Sequence, residues 1–167
     1  MNYKKTEILE LDEVMVIIEE ARAFLKKQGL DQWQNGYPNR ETIEKDIKVG
    51  DSYVWVEENK VIGTTAISFD GEPTYEKIYE GVWKSDQPYG VIHRMAVSSL
   101  AKGTGLAVKM MEDAEIICLD NEIHSIKVDT HEDNIPMQKL LKKIGYVYCG
   151  VIYLSDGAKR IAFEKLL

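Results

Sequence analysis

The sequence predicts a mixed α/β fold, a single domain over residues 1–167 with a mixed rather than wholly parallel sheet. Three observations carry this. Strand-like and helix-periodic runs alternate through the middle of the chain, as strand–helix units require. Hairpin patterns early in the chain and at its C-terminus add antiparallel pairs. The length of 167 residues suits one domain with a core large enough to hold without disulfides.

The elements follow in order. "NYKKTEIL" reads as a first strand. "LDEVMVIIEEARAFLKKQG" reads as a helix, with Asp12 as N-cap and Gly29 as C-cap. Val14, Ile17, Ile18, Ala21, Phe24 and Leu25 keep helical spacing along it. "DQWQNGYPN" is a loop by its Asn-Gly and Pro, and "RETIEKDIKVG" is a short second helix ending at Gly50. "SYVWVEENKVIGTTAISF" is a hairpin around the polar turn "EENK". "DGEPTYEKIYEGVWKSDQPYG" has turn residues at both ends and an apolar middle, and reads equally as a short helix or an irregular excursion. "VIHRMAV" is a strand, "GTGLAVKMMEDAEIICLDN" a helix and "SIKVDT" a strand. "NIPMQKLLKKIG" is a helix opened by Asn134, with Pro136 in its first turn. "YVYCGVIYL" and "RIAFEKL" make a last strand pair around an Asp-Gly turn.

Composition narrows the function classes. The net charge of −7 argues against a nucleic-acid or anionic-membrane surface, which needs clustered Lys and Arg. It is compatible with a cationic substrate. The two cysteines, Cys118 and Cys149, have no CxxC or Cys/His spacing, so no metal site is expected and both are expected to be reduced thiols. "MNYKKTEILELDEV" has no apolar leader core and no 18-residue apolar run occurs, so a cytoplasmic protein away from membranes is expected.

The stretch that points to chemistry is "HRMAVSSLAKGTGLAVKMME". A strand ends in Val97, and Gly103 and Gly105 lead straight into a helix. Glycine permits φ > 0 and close approach of a ligand to the backbone. A helix N-terminus adds unpaired N–H groups and a partial positive charge, which suit phosphate, and Lys102 adds a mobile cation. The turn is not a nucleotide P-loop, because Gly103 is preceded by lysine rather than followed by it. It is not a Rossmann fingerprint, because Val108 stands where a third glycine belongs. A plain tight turn remains the alternative.

With the next strand–helix unit, "KVDTHEDNIPMQKLLKKIGYVYCG", the sequence resembles the GNAT N-acetyltransferases, which use acetyl-CoA. Their pyrophosphate motif, Q/R-x-x-G-x-G/A, is matched by Leu100, Ala101, Lys102, Gly103, Thr104 and Gly105, with Leu100 in place of the leading Arg or Gln. Asn134, Met137, Leu140 and Gly145–Tyr146 match the family's second helix pattern, and the element order matches along nearly the whole chain.

The resemblance implies a mostly antiparallel sheet in which two parallel strands splay around the pantetheine arm. It implies that Met95, Ala96 and Val97 offer backbone groups to that arm, with the Val97 N–H as oxyanion donor. The backbone from Lys102 through Gly103, Thr104, Gly105 and Leu106 to Ala107 would hold the pyrophosphate, and Asn134, Met137 and Leu141 would meet the CoA arm. Leu141 stands where many members carry a tyrosine that protonates the leaving thiolate. Tyr146, Tyr148 and Tyr153 are the substitutes in this chain, with packing as their alternative role. Thiolate is itself a tolerable leaving group near neutral pH.

A general base is expected to deprotonate the amine. Asp129 lies five residues before Asn134, where some protein N-terminal acetyltransferases of the family carry a glutamate. His93 is in phase with Met95 and Val97 on its strand, and His131 is a third candidate. The plain alternatives are a hydrogen-bonded cleft histidine for His93, a strand-end carboxylate for Asp129 and a solvated loop residue for His131. Trp33, Tyr37 and Pro38 from the early loop, with Glu72, Tyr75, Tyr79 and Trp83 from the excursion, are candidate acceptor-pocket residues. Pinning those loops to the core, or covering a dimer interface, is the alternative. The expected reaction is direct attack of a primary amine, of a small molecule, on acetyl-CoA in a ternary complex. A protein N-terminus or lysine as acceptor, and a non-catalytic acyl-CoA-binding module, stay open. Family members are often dimers, so a homodimer is an expectation.

Overall fold

A computed structural model describes all residues 1–167. Seven strands and four α-helices form in the order β1 (Asn2–Lys5), α1 (Leu11–Lys27), α2 (Arg40–Val49), β2 (Ser52–Glu57), β3 (Lys60–Ser68), β4 (Gly90–Val97), α3 (Leu106–Asp120), β5 (Ser125–Thr130), α4 (Ile135–Lys143), β6 (Val147–Tyr153) and β7 (Lys159–Leu166). The sheet order is β1-β2-β3-β4-β5-β7-β6. The β4–β5 pair is parallel, and β1–β2, β2–β3, β5–β7 and β6–β7 are antiparallel. The mixed, mostly antiparallel sheet expected from the sequence is therefore observed. The chain forms two compact units, residues 1–67 with 93–113, and residues 68–92 with 114–167.

In the first unit, α1 lays Leu11, Val14, Ile17 and Ile18 against Ile43 of α2 and Val54 and Val61 of the β2–β3 hairpin. The helix begins one residue before the expected Asp12 cap. A 3-10 turn at Ile8–Glu10 precedes it, and the Glu7 N–H donates to the Glu10 carboxylate at 2.9 Å. Asp12 lies within the helix and pairs with Arg40 at 2.7 Å. The first strand is shorter than expected, because Thr6 turns inward to a 2.7 Å hydroxyl contact with Ser52. Glu58 and Asn59 both have φ > 0, the two-residue turn whose twist matches a hairpin. Trp55 is fully buried, and its indole N–H donates to Asp113 of α3 at 2.8 Å.

In the second unit, β7 lies between β5 and β6, so five successive residues, Arg160–Glu164, are buried. The excursion from Asp70 to Tyr89 contains one 3-10 turn, Pro73–Tyr75, and is otherwise irregular. Tertiary partners hold it. Tyr79 makes a two-bond antiparallel bridge with Val151. Glu164, fully buried, accepts from the Lys84 N–H and from the Ser85 and Ser125 hydroxyls. The Lys127 ammonium lies 4.5 Å from the Trp83 ring centroid and 4.0 Å from that of Tyr89. No helix is long and apolar enough to cross a membrane.

Candidate active site

The first unit carries the glycine turn. A short 3-10 turn at Ser99–Ala101 follows β4, and the Glu20 carboxylate of α1 accepts from both the Ser99 N–H and its hydroxyl, at 2.7 and 2.8 Å. Gly103 and Gly105 then take φ of 78° and 86°, the left-handed region that glycine enters without a Cβ penalty. A Cβ built on either would meet no atom within 4 Å, so both face open space. The first bond closing α3 runs from the Lys109 N–H to the Gly105 carbonyl. The N–H groups of Leu106, Ala107 and Val108 therefore precede the helical ladder, and only outside acceptors can satisfy them. The Thr104 hydroxyl donates to the Ala101 carbonyl at 2.7 Å and tightens the turn. Lys102 is exposed, and its ammonium sits 3.9 Å from the Phe24 ring centroid. Leu100 is 83% exposed, so the residue in the motif's leading position contributes no packing. These features fit a pyrophosphate: open glycines, unpaired N–H groups, a positive helix end and one nearby cation.

β4 leads into that turn. His93 and Met95 are half-buried, Ala96 is buried and Val97 is half-buried. Arg94 has φ of 54°. This left-handed residue interrupts the two-residue alternation, so the phase argument linking His93 to Met95 and Val97 does not run through it. The His93 carbonyl accepts from the Thr65 hydroxyl at 2.9 Å. The Arg94 guanidinium grips both oxygens of Asp46 at 2.7 and 2.8 Å and donates to the Tyr37 hydroxyl at 2.7 Å. Burial pushes the Asp46 carboxyl up, and Arg94 pulls it back. The early loop is thus tied to β4. Tyr37 is 43% exposed, whereas Trp33 packs against the α1 core and its carbonyl accepts from Arg22 at 2.9 Å. Sequence reading missed the Arg94–Asp46–Tyr37 cluster. The available signal was an arginine inside a strand that is otherwise apolar except for His93.

The second unit carries the carboxylate. Asp129 lies on β5 opposite Ala162 of β7 and is half-buried. The Tyr75 hydroxyl donates to its Oδ2 at 2.6 Å. Burial raises the Asp129 carboxyl from its ordinary value, the Tyr75 bond and Arg160 draw it down, and Glu72 adds to the rise. Tyr75 is 2% exposed, and burial, then Asp129, push its phenol well above its ordinary value. The Trp83 indole N–H donates to the Tyr75 carbonyl at 2.8 Å, and the two rings lie 5.3 Å apart. Three residues singled out separately in the sequence, Tyr75, Trp83 and Asp129, are therefore one constellation. In it Tyr75 is a buried and Trp83 a half-buried support of the excursion.

Asn134 caps α4, accepting from the Met137 N–H at 3.3 Å, and Met137 is half-buried. Leu141 is fully buried. The His131 Nδ1 accepts from the Asp133 N–H at 3.0 Å. Tyr146 is buried beside Glu115 and Cys118, and its hydroxyl has no hydrogen-bond partner. Tyr148 and Tyr153 are exposed at 45% each. Both cysteines are buried and unpaired. Burial pushes the Cys118 thiol up to about 12 and raises that of Cys149, so neither is poised as a thiolate nucleophile.

Residues 17–146 match the family model described as Acetyltransferase (GNAT) family. A GNAT-family acetyltransferase from Streptococcus agalactiae 2603 is 38% identical, with 99% of this chain and 95% of that one covered at a TM-score of 0.91. A GNAT-family acetyltransferase from Listeria monocytogenes 4b F2365 is 19% identical, with 99% and 94% covered at a TM-score of 0.77. The ribosomal-protein-alanine N-acetyltransferase from Brucella melitensis is 13% identical, with all of both chains covered at a TM-score of 0.73. The last two likenesses show the fold alone. No curated protein sequence matches the chain. The family match over most of the chain, with the Streptococcus structure, identifies this protein as an acyltransferase belonging to the GNAT acetyltransferase family.

Proposed function

We propose that the protein transfers an acetyl group from acetyl-CoA to a primary amine of a small molecule, by direct attack in a ternary complex. The observation that carries the cofactor assignment is the open glycine turn at the start of α3. Its backbone N–H groups from Lys102 to Ala107 take the pyrophosphate, with the Lys102 side chain as the mobile cation. Met95, Ala96 and Val97 offer backbone groups to the pantetheine arm, and Asn134, Met137 and Leu141 belong to the α4 side of the same assignment. Bound acetyl-CoA would supply the thioester carbonyl and a thiolate leaving group, tolerable near neutral pH without a proton donor.

The Val97 N–H donates to the oxyanion, a contribution of about 3–4 kcal/mol in comparable sites. Asp129 takes the proton from the amine. Its support is a carboxyl that burial raises from its ordinary value, on a half-buried strand position. His93 is the second base candidate, half-buried on β4. The two buried, protonated thiols support a mechanism without an acyl-cysteine intermediate. Tyr37 is the aromatic residue of the early loop open enough to meet an acceptor, and the net charge of −7 favours a cationic one. The activity and the absence of a long apolar helix are in keeping with a cytoplasmic protein, and a homodimer is the expected assembly.

A second acceptor class follows from the Brucella neighbour, whose name specifies a ribosomal-protein alanine. The test is a panel of small primary amines run beside alanine-terminated and lysine-containing peptides, with CoA thiol release and acetylated product both measured. Turnover of small amines at a higher kcat/KM than any peptide supports the proposal. Turnover of peptides alone moves the assignment to a protein acetyltransferase.

A further inference from the structure

We infer that Tyr75 is a positioning residue for the acetyl transfer: its buried hydroxyl, fixed by the excursion, orients Asp129 and sets the carboxylate's basicity. The inference rests on the reading of Asp129 as the base. Three observations carry it.

The first is the contact itself, a 2.6 Å bond from the Tyr75 hydroxyl to Oδ2 of Asp129. It occupies one carboxylate oxygen and leaves the other to meet an amine proton. A donor to the ionised form favours that form, so it opposes the rise that burial imposes. The second is how firmly Tyr75 is held. Its carbonyl accepts from Trp83, and its ring packs against Trp83 at 5.3 Å and Tyr89 at 6.4 Å. Glu72 caps the turn through the Thr74 N–H at 3.2 Å and hydroxyl at 3.0 Å, and the Glu72 N–H donates to the Tyr89 hydroxyl at 3.3 Å. The third is economy. An exposed turn that only needed an apolar anchor would be served by phenylalanine, whereas Tyr75 places its one polar atom on the one carboxylate of β5.

The charged and titratable groups that face Asp129 are Tyr75 and Glu72 from the excursion and Arg160 from β7, with Tyr89 beyond Tyr75. His131 follows two residues along the chain. Glu72 raises the Asp129 carboxyl and Arg160 lowers it. Removing the Tyr75 hydroxyl changes neither of those residues, so a shift seen in Tyr75→Phe reports the hydrogen bond.

The experiment has two arms. In the first, the Asp129 carboxyl is titrated by carbon-13 NMR in the wild-type protein and in Tyr75→Phe. The expected result is a pKa about one unit higher in the variant. An unchanged pKa overturns the inference. In the second, kcat/KM is followed against pH with acetyl-CoA and, as probe acceptors, benzylamine and an alanine-terminated peptide. The acid limb is expected to move up by the same amount in Tyr75→Phe, with the KM for acetyl-CoA unchanged within about twofold. A uniform loss at every pH, with the limb unmoved, assigns Tyr75 a purely structural role and overturns the inference. Asp129→Asn separates the two levels of the argument. Loss of the acid limb there supports the base assignment, whereas retained activity and limb refute that assignment even if the NMR shift is seen. Should Tyr75→Phe not fold, a ring-fluorinated tyrosine at position 75, with a more acidic hydroxyl, is used instead. It is expected to lower the Asp129 pKa, and no change would refute the coupling.

Discussion

Replacing Gly103 with alanine tests the pyrophosphate assignment with an internal control. At φ of 78° the alanine Cβ meets no protein atom within 4 Å, so the fold suffers only the left-handed backbone penalty. That penalty is about 1–2 kcal/mol, a fall of roughly 2–8 °C in Tm for a chain of this length. Gly157, in the turn before β7, has φ of 85° and equally open surroundings. Gly157→Ala therefore carries the same backbone cost far along the sequence from the glycine motif. The two variants should lose similar stability in the absence of cofactor. They should differ in binding. A methyl group at Gly103 holds phosphate oxygens off the backbone, and weakening even one charge-assisted N–H bond removes about 1.5–3 kcal/mol, a tenfold to hundredfold rise in the acetyl-CoA Kd. Calorimetric titration of both folded variants measures this directly. Equal acetyl-CoA affinity in Gly103→Ala, Gly157→Ala and wild type would refute the reasoning.

Three further expectations concern stability. Tyr146→Phe removes a buried hydroxyl that has no partner, and should raise stability by about 1 kcal/mol, or roughly 2–4 °C in Tm, in a thermal melt; a loss would mean that the hydroxyl is satisfied. Arg94→Ala strands the Asp46 carboxylate, now gripped through both oxygens, in a buried place and should cost about 3–5 kcal/mol by urea denaturation, whereas a change under 1 kcal/mol would show that the cluster holds nothing. Asp129→Asn keeps an acceptor for Tyr75 while removing a charge that burial disfavours. Because the folded Asp129 pKa lies above its unfolded value, the native protein holds the proton more tightly, and wild-type stability from this group is lost as pH rises through the folded pKa. The variant should therefore be more stable than wild type at pH 7, with the advantage fading as pH falls through the folded Asp129 pKa and gone below about pH 4, the unfolded value; a pH-independent difference would contradict the assigned shift.

The parts of this protein legible in its sequence are those fixed by local chemistry. Asn134 with Pro136 marks the start of α4 because a side-chain cap and a missing N–H suit a first turn, and the cap is observed. The strand-to-helix glycine turn was legible for the same reason. The start of α1 was harder, since Glu7 and Glu10 close the chain entry in place of a Ser, Thr or Asp cap. The excursion from Asp70 to Tyr89 was unreadable because its conformation is set from elsewhere: by Val151 through Tyr79, and by Glu164 through Lys84 and Ser85. Glu164 itself breaks the binary pattern, a carboxylate buried in a strand whose neighbours are Phe163 and Lys165. The pairing of Tyr75 with Asp129 spans 54 positions, and no local signal announces it. At Arg94 the two-residue strand period fails because one residue enters the left-handed region, a feature that a lone arginine in an apolar run does not encode.

Titration of the wild-type protein with acetyl-CoA, beside ATP and NAD, tests the central claim most directly. A saturable rise in Tm with acetyl-CoA, and none with the two nucleotides, is the expected result, because only a ligand that binds the native state stabilises it. Stabilisation by ATP or NAD without stabilisation by acetyl-CoA would contradict the assignment of the glycine turn.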